Sequence, residues 1–126
     1  MTRSRASAKA AGTRHERQIA DCLAAHIDDR IDRRVKTGAL DKGDIAGLRV
    51  HGKRIVIEAK NTTRINLAGW VTEAETERIN DGALAAFVIH KRHGRTNPLD
   101  QYVTCTVREL IALINGTRPT EEGTTP

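Results

Sequence analysis

Apolar and polar positions alternate along the chain in a way that predicts eight elements. Over residues 13–27, Ile19, Ala20, Cys22, Leu23 and Ile27 recur at steps of three and four, predicting an amphipathic helix. Thr13, with Glu16 three residues on, has the spacing of a capping box. Glu16 also lies on the apolar stripe, three residues before Ile19 and seven before Leu23, a position its capping role alone does not require. Residues 31–37 alternate weakly and read as a short edge strand, followed by a turn-rich loop at 38–43. Residues 44–50 and 54–60 read as two strands joined by the short hairpin connection His51-Gly52-Lys53. A helix over 67–80 places Leu67, Trp70, Val71 and Ala74 on one face and leaves Glu73, Glu77 and Asp81 off it. Residues 84–90 are almost continuously apolar, as in a strand covered on both faces. A further strand at 101–106 leads into a final helix at 107–115, stopped by Gly116.

The resulting order, α-β-β-β-α-β-β-α, predicts one α/β domain over residues 13–116. The strand-helix-strand piece from 54 to 90 should be a right-handed crossover between parallel strands. Residues 1–12 have basic side chains and no apolar period, and read as a flexible tail. Residues 117–126 read as a polar, disordered C-terminal tail.

Composition narrows the picture. A chain of 126 residues has the length of one domain. Of its apolar residues 16 are Ala, and Trp70, Phe87 and Tyr102 are its only aromatic rings, so the core must be small and aliphatic. No run approaches the roughly 18 apolar residues of a membrane helix, and no apolar stretch follows the basic N-terminus. The expectation is a soluble, cytoplasmic protein without a membrane partner. Cys22 and Cys105 are too isolated to indicate a disulfide framework or a zinc site, and reduced thiols are expected. His90 and His93, three apart at a strand end, lack further ligands and read as part of a basic turn. Lys and Arg total 21 against 16 acids, for a net charge of +5, and Arg outnumbers Lys 15 to 6. That balance fits a polyanionic partner held by guanidinium forks.

The hairpin is where residues become chemistry. Side chains alternate faces along a strand, so Val56, Glu58 and Lys60 share one face. Folding the chain about 51–53 sets residues whose numbers sum to 102–104 opposite one another, which places Asp44 opposite Glu58 or one step off it. Opposed Cβ atoms lie roughly 4.5–5.5 Å apart. Two carboxylates that close call for a cation between them, and hard oxygen ligands suit Mg²⁺. Lys60 would stand beside the ion, and Glu16 would approach from the first helix.

Asp44, followed after fourteen positions by Glu58-Ala59-Lys60, resembles the PD-(D/E)XK nuclease superfamily, and its Holliday junction resolvase branch in particular. The likeness takes in Gly12-x3-Glu16-Arg17, Arg33-Arg34, Thr37, Gly43-Asp44-Ile45, Ile57-Glu58-Ala59-Lys60, Trp70-x2-Glu73-Ala74 and Val88-Ile89-His90-Lys91. One departure is Gly43 where the motif has proline. The resemblance implies a restriction-endonuclease-like fold with a mixed central sheet and an α-β-β-β-α-β core. It implies a metal-dependent DNA endonuclease acting on branched DNA, here a four-way junction. Catalytic residues would be Glu16, Asp44, Glu58 and Lys60. Asp44, Glu58 and the Ala59 carbonyl would hold Mg²⁺ (or Mn²⁺), while Arg17, Arg34 and Thr37 would contact phosphates. Lys60 would orient water rather than act as the base, because flanking carboxylates keep it charged. Cutting two strands of a junction symmetrically implies a homodimer. Another repair or restriction-type nuclease of the same fold, or a non-catalytic basic nucleic-acid-binding module, fits the same residues. Trp70 reads as core rather than as a dimer anchor or stacking platform. Glu73, Glu75, Glu77 and Asp81 read as a solvated helix face.

Overall fold

A computed structural model describes residues 3–120, a mixed α/β domain of one sheet and three helices. The elements are α1 (Arg5–His26), β1 (Asp32–Arg33), β2 (Ile45–Ala46), β3 (Arg49–Val50), β4 (Lys53–Lys60), α2 (Leu67–Asp81), β5 (Ala85–His90), β6 (Tyr102–Thr104) and α3 (Val107–Asn115). The sheet runs β1-β2-β4-β5-β6, with β3 also pairing β4. β4 and β5 are parallel from Ile55↔Ala85 to Lys60↔His90, and the other pairs are antiparallel. Both central strands alternate cleanly because both faces are covered. Ile55, Ile57, Phe87 and Ile89 pack with Ile19 and Ala20 of α1, and Val56, Ala86 and Val88 pack with Trp70 and Ala74 of α2. Trp70 is core, as expected from its place on the stripe. None of the helices among the described residues is long and apolar enough to cross a membrane.

Two expectations need correction. The first helix begins at Arg5 under a Ser4 cap whose hydroxyl accepts from the Ser7 N–H, not at Thr13. Residues 5–12 are therefore helical rather than tail, since Ala6, Ala8, Ala10 and Ala11 favour helix without needing an apolar stripe. Arg3 is pinned too, donating to the carbonyl and side-chain oxygens of Asn61 at the end of β4. The C-terminal stretch is likewise tied down as far as the description reaches. Arg118 binds both oxygens of buried Glu109 and the Leu84 carbonyl, whereas 121–126 lie outside the described residues. The last helix, α3, turns Glu109 and Ala112 inward and leaves Val107, Leu110, Ile111 and Ile114 exposed. The Glu109 carboxylate accepts from the Ala86 N–H at the edge of β5, which decides that orientation.

The strand predicted over 44–50 is interrupted. Arg49↔Arg54 and Val50↔Lys53 sum to 103, while Ile45↔Ile57 sums to 102, so one extra residue bulges out between β2 and β3. Gly47 supplies the bend at φ +92°, and a Cβ there would meet the Arg30 carbonyl oxygen at 2.6 Å. Gly47→Ala is therefore expected to cost about 1–3 kcal/mol, readable as a lowered thermal midpoint. An unchanged midpoint would show that the bulge relaxes without strain.

Candidate metal centre

Asp44 sits immediately before β2, where Ile45 pairs Ile57, and its backbone N–H donates to the Ile57 carbonyl at 3.0 Å, one residue off that register, while its carboxyl meets that of Glu58. The preceding residue, Gly43, has φ +97°, and a Cβ would press on Val56 Cγ1 at 2.9 Å. Proline, held near −65°, is excluded from that backbone. The departure at Gly43 is thus required by the way this loop enters the strand. Asp44 Oδ2 accepts from the Ala59 N–H at 2.9 Å, which fixes the carboxylate over the end of β4.

Glu58 and Lys60 point to the side of β4 covered by α2. Lys60 Nζ lies 3.8 Å from Glu58 Oε1 and 3.1 Å from each oxygen of Glu73. From the layer of α1, Glu16 reaches the same place: its carboxyl meets that of Asp44, and Arg33 lies 3.6 Å from its other side. Glu16 is only partly buried, and the fully buried residue of that helical turn is His15, whose ring meets the Ile89 carbonyl at 3.0 Å. Glu16, Asp44, Glu58 and Lys60, distant in sequence, are thus linked by successive contacts, Glu16 to Asp44, Asp44 to Glu58 and Glu58 to Lys60.

Two further acids, which the sequence reading assigned to solvent, belong to this site or its wall. Glu77 is 1% exposed and Asp81 8%. The buried face of α2 is Trp70, Ala74, Glu77, Asp81, a single run at steps of four, three and four. That periodicity was visible in the sequence, and the same logic that singled out Glu16 applies to Glu77. Asp81 is held by Arg34 at 3.6 Å and Arg54 at 3.4 Å. Glu77 instead faces Glu58, and one ligand oxygen each from Asp41, Glu58, Glu73 and Glu77 falls within 4.8 Å of the others. Asp41, in the loop before β2, carried no sequence signal. The loop is held in place where Asn80 donates to the Asp41 carbonyl at 2.8 Å.

Burial and mutual repulsion shape the charges. Burial, together with the adjoining Glu77 and Asp44 carboxyls, pushes Glu58 up to about 12. Glu77 rises to about 7, chiefly through burial, with Asp41 adding to it. Glu16 also rises, from burial and the charge on Asp44. Asp44 goes the other way: burial is outweighed by hydrogen bonds from Glu58 and Ala59 and by the Lys36 ammonium at 3.4 Å. Lys60 is pushed up, its burial outweighed by Glu73, Glu58 and Asp44, which keeps it a cation and unsuits it as a general base. Glu58 and Glu77 share an acid–acid hydrogen bond, and apart from neighbouring carboxyls Glu58 Oε2 and both oxygens of Glu77 meet no donor among the described residues. Buried carboxyl oxygens normally have such partners or ligate a metal. An all-oxygen donor set of this kind fits a hard divalent cation such as Mg²⁺ or Mn²⁺.

The surroundings divide the remaining expected residues. A recess of about 470 Å³ opens beside Lys60, lined by Arg3, Gly12, Asn61 and Thr62. Lys91 and Arg92 follow β5 where the Lys91 N–H meets the Lys60 carbonyl, so basic groups flank the carboxyl ends of both parallel strands. Thr37 is exposed and lines a second recess of about 240 Å³ with Arg34 and Lys36. Arg17 is occupied by Asp32 at 2.7 Å and Asp21 at 3.2 Å, and Arg34 by Asp81. His90 and His93 turn to different partners, the Thr104 hydroxyl and the Thr62 carbonyl. Comparisons of the chain with protein-family models, with curated proteins and with solved structures return no match.

Proposed function

We propose that this chain is a Mg²⁺-dependent, structure-selective DNA endonuclease of restriction-endonuclease-like fold, a Holliday junction resolvase that hydrolyses phosphodiester bonds at four-way junctions. The observation that carries this reading is the meeting of Asp44 and Glu58 across β2 and β4, with Lys60 one alternation further along the same strand face. Asp44, Glu58 and the Ala59 carbonyl would hold the metal. Bound there, Mg²⁺ supplies a Lewis acid for the scissile phosphate and acidifies a coordinated water.

The chain's own groups do the rest. The Ala59 N–H holds Asp44 in place for the ion. The Lys60 ammonium orients the attacking water and offsets charge growing on the phosphoryl oxygens. Glu16 accepts a hydrogen bond from water at the α1 side of the site. Basic groups at the strand ends, among them Arg3, Lys91 and Arg92, with Lys36 and Thr37 on the other flank, position the backbone of the DNA. Recognition would rest on phosphate charge and junction shape rather than on base edges. One site cuts one strand, so a homodimer supplies the second cut.

The test is a gel comparison of a four-way junction with linear duplex, flap and single strand, with and without Mg²⁺. Junction cleavage only with Mg²⁺, at least tenfold faster than that of linear duplex, is the expected result. Equal cleavage of linear duplex would favour another nuclease of the same fold, and no cleavage of any substrate would leave a binding module. Junction affinity should also fall about 10³-fold or more between roughly 50 and 200 mM salt if six or more phosphates are contacted. A flat salt response would argue against a polyanionic ligand.

A further inference from the structure

We propose that Tyr102, with the Arg92 guanidinium laid over its ring, is a stacking platform for an unpaired nucleobase beside the cut, so that the chain prefers DNA with a base out of the stack. The inference deepens the nuclease reading and rests on it for the position of the cut. Besides its histidines the chain has three aromatic residues, and two of them belong to the core: Trp70 and Phe87 are each 7% exposed. Tyr102 is 54% exposed. Its hydroxyl has no hydrogen-bond partner among the described residues, so what it presents is the ring.

The sheet puts that ring next to the candidate site. Lys60 pairs His90 across β4 and β5, and His90 pairs Tyr102 across β5 and β6, so the three side chains stand in one row on the α2 face. Neighbouring strands lie roughly 4.8 Å apart, which sets Tyr102 about 10 Å from Lys60 along the row. Trp70 of α2 packs on His90, their rings 5.4 Å apart, and His90 meets the Tyr102 ring at 5.9 Å and 66°. The cover that α2 gives the row therefore ends at His90 and leaves Tyr102 open at the edge strand.

An exposed tyrosine alone would not make a site. Here a cation is fixed upon it: Arg92 Cζ lies 4.4 Å from the ring centroid. The Arg92 backbone N–H donates to Gln101 Oε1 at 2.6 Å, and a guanidinium N–H donates to the Asp100 carbonyl at 3.1 Å, which holds the side chain in place. A guanidinium lying on a ring combines flat stacking surfaces with positive charge for the adjoining phosphate. Bases of every identity stack on such planes, so the platform reads whether a base is unstacked and not which base it is. An intact duplex keeps its bases stacked and cannot use it, whereas a branch point or a bulge supplies the base.

The test measures binding in Ca²⁺ to a four-way junction, to a duplex with one bulged nucleotide, and to the same duplex without the bulge. Wild type is expected to bind the first two at least about fivefold more tightly than the intact duplex, the low end of what stacking a base on an aromatic ring is worth. Tyr102→Ile keeps a strand-forming residue without the ring. It should lose the preference while binding intact duplex within about twofold of wild type, and Tyr102→Phe should retain the preference. A cooperative melt confirms that each variant is folded. In wild type itself, 2-aminopurine as the bulged base should be quenched on binding. No quench, no preference in wild type, a preference that survives Tyr102→Ile, or equal weakening of all three DNAs by it would each overturn the platform. A tyrosine-dependent preference in a protein that cleaves no DNA with Mg²⁺ would keep the platform and remove the nuclease reading. Junction cleavage with Mg²⁺ but without that preference would remove the platform alone.

Discussion

Glu58→Gln is expected to lower Mg²⁺-dependent junction cleavage about 10³-fold or more, with junction affinity changed less than about threefold. The asymmetry follows from where Glu58 sits. It is 4% exposed beneath α2, facing Asp44, Glu77 and Lys60, so it offers little surface to a DNA backbone. Its loss removes a ligand shared by everything the pocket holds, and metal contributions to transition-state charge are worth several kcal/mol, at 1.36 kcal/mol per tenfold. Glutamine is the informative replacement because burial keeps Glu58 protonated in the metal-free protein, and an amide has nearly the shape of that neutral acid. Folding is therefore preserved while ligation is not. Single-turnover cleavage and a binding isotherm in Ca²⁺ read the two quantities separately. Cleavage persisting near the wild-type rate would remove Glu58 from the chemistry.

The second large effect is on stability, and its sign depends on pH. Glu77 is raised to about 7 by burial, against roughly 4.3 in an unfolded chain. Between those values the folded protein retains a proton that the unfolded chain has released, so stability declines as pH rises through the window. Below about pH 4 both states are protonated and nothing is lost. Above about pH 7 the penalty is complete, on the order of 3 kcal/mol at 1.36 kcal/mol per unit. Glu77→Gln has no proton to lose. Its thermal midpoint should match wild type near pH 4 and exceed it by roughly 10 °C at pH 8 in chelator. Added Mg²⁺ should then narrow the gap by stabilising wild type more than the variant. A midpoint difference that stays constant from pH 4 to pH 8 would mean that Glu77 is not held in a charge-averse environment. A gap that opens between pH 4 and pH 8 marks the acid as a stability cost carried for ligation, consistent with functional sites breaking the rules that the rest of a fold obeys.

Much of this arrangement was legible beforehand, and the exceptions have identifiable causes. The parallel β4–β5 pair was readable because two apolar runs flank a helix of the right length, and covered strands leave no other solution. The hairpin pairing was readable to within two positions, as sums of 102–104, because a short connection leaves few ways to pair. Its one-residue bulge at Gly47 was not, since it arises from the approach of the Arg30 carbonyl, far from the hairpin in chain order. The extension of α1 back to Arg5 carries no such pattern, because alanine-rich turns make helix by propensity, with no apolar stripe. Glu77 stands at helical spacing from Trp70 and Ala74, but a charged side chain ordinarily faces solvent, so its burial is decided only by the packing of α2 on β4. Asp41 belongs to a different category, because nothing local distinguishes one loop aspartate from another.

The sequence by itself determined the mixed α/β order, the approach of Asp44 to Glu58, and the company of Lys60. These depend on the two-residue period of strands and on short connections, which are local properties of the chain. Only the tertiary structure decided that α2 would lower Glu73 and Glu77 onto β4, that the loop before β2 would deliver Asp41, and that Arg17 and Arg34 would be taken up by acids. Those outcomes depend on how layers seat against one another, where the burial of Trp70, Ala74 and Ile19 sets the positions and the charged groups beside them must accept the neighbours they are given.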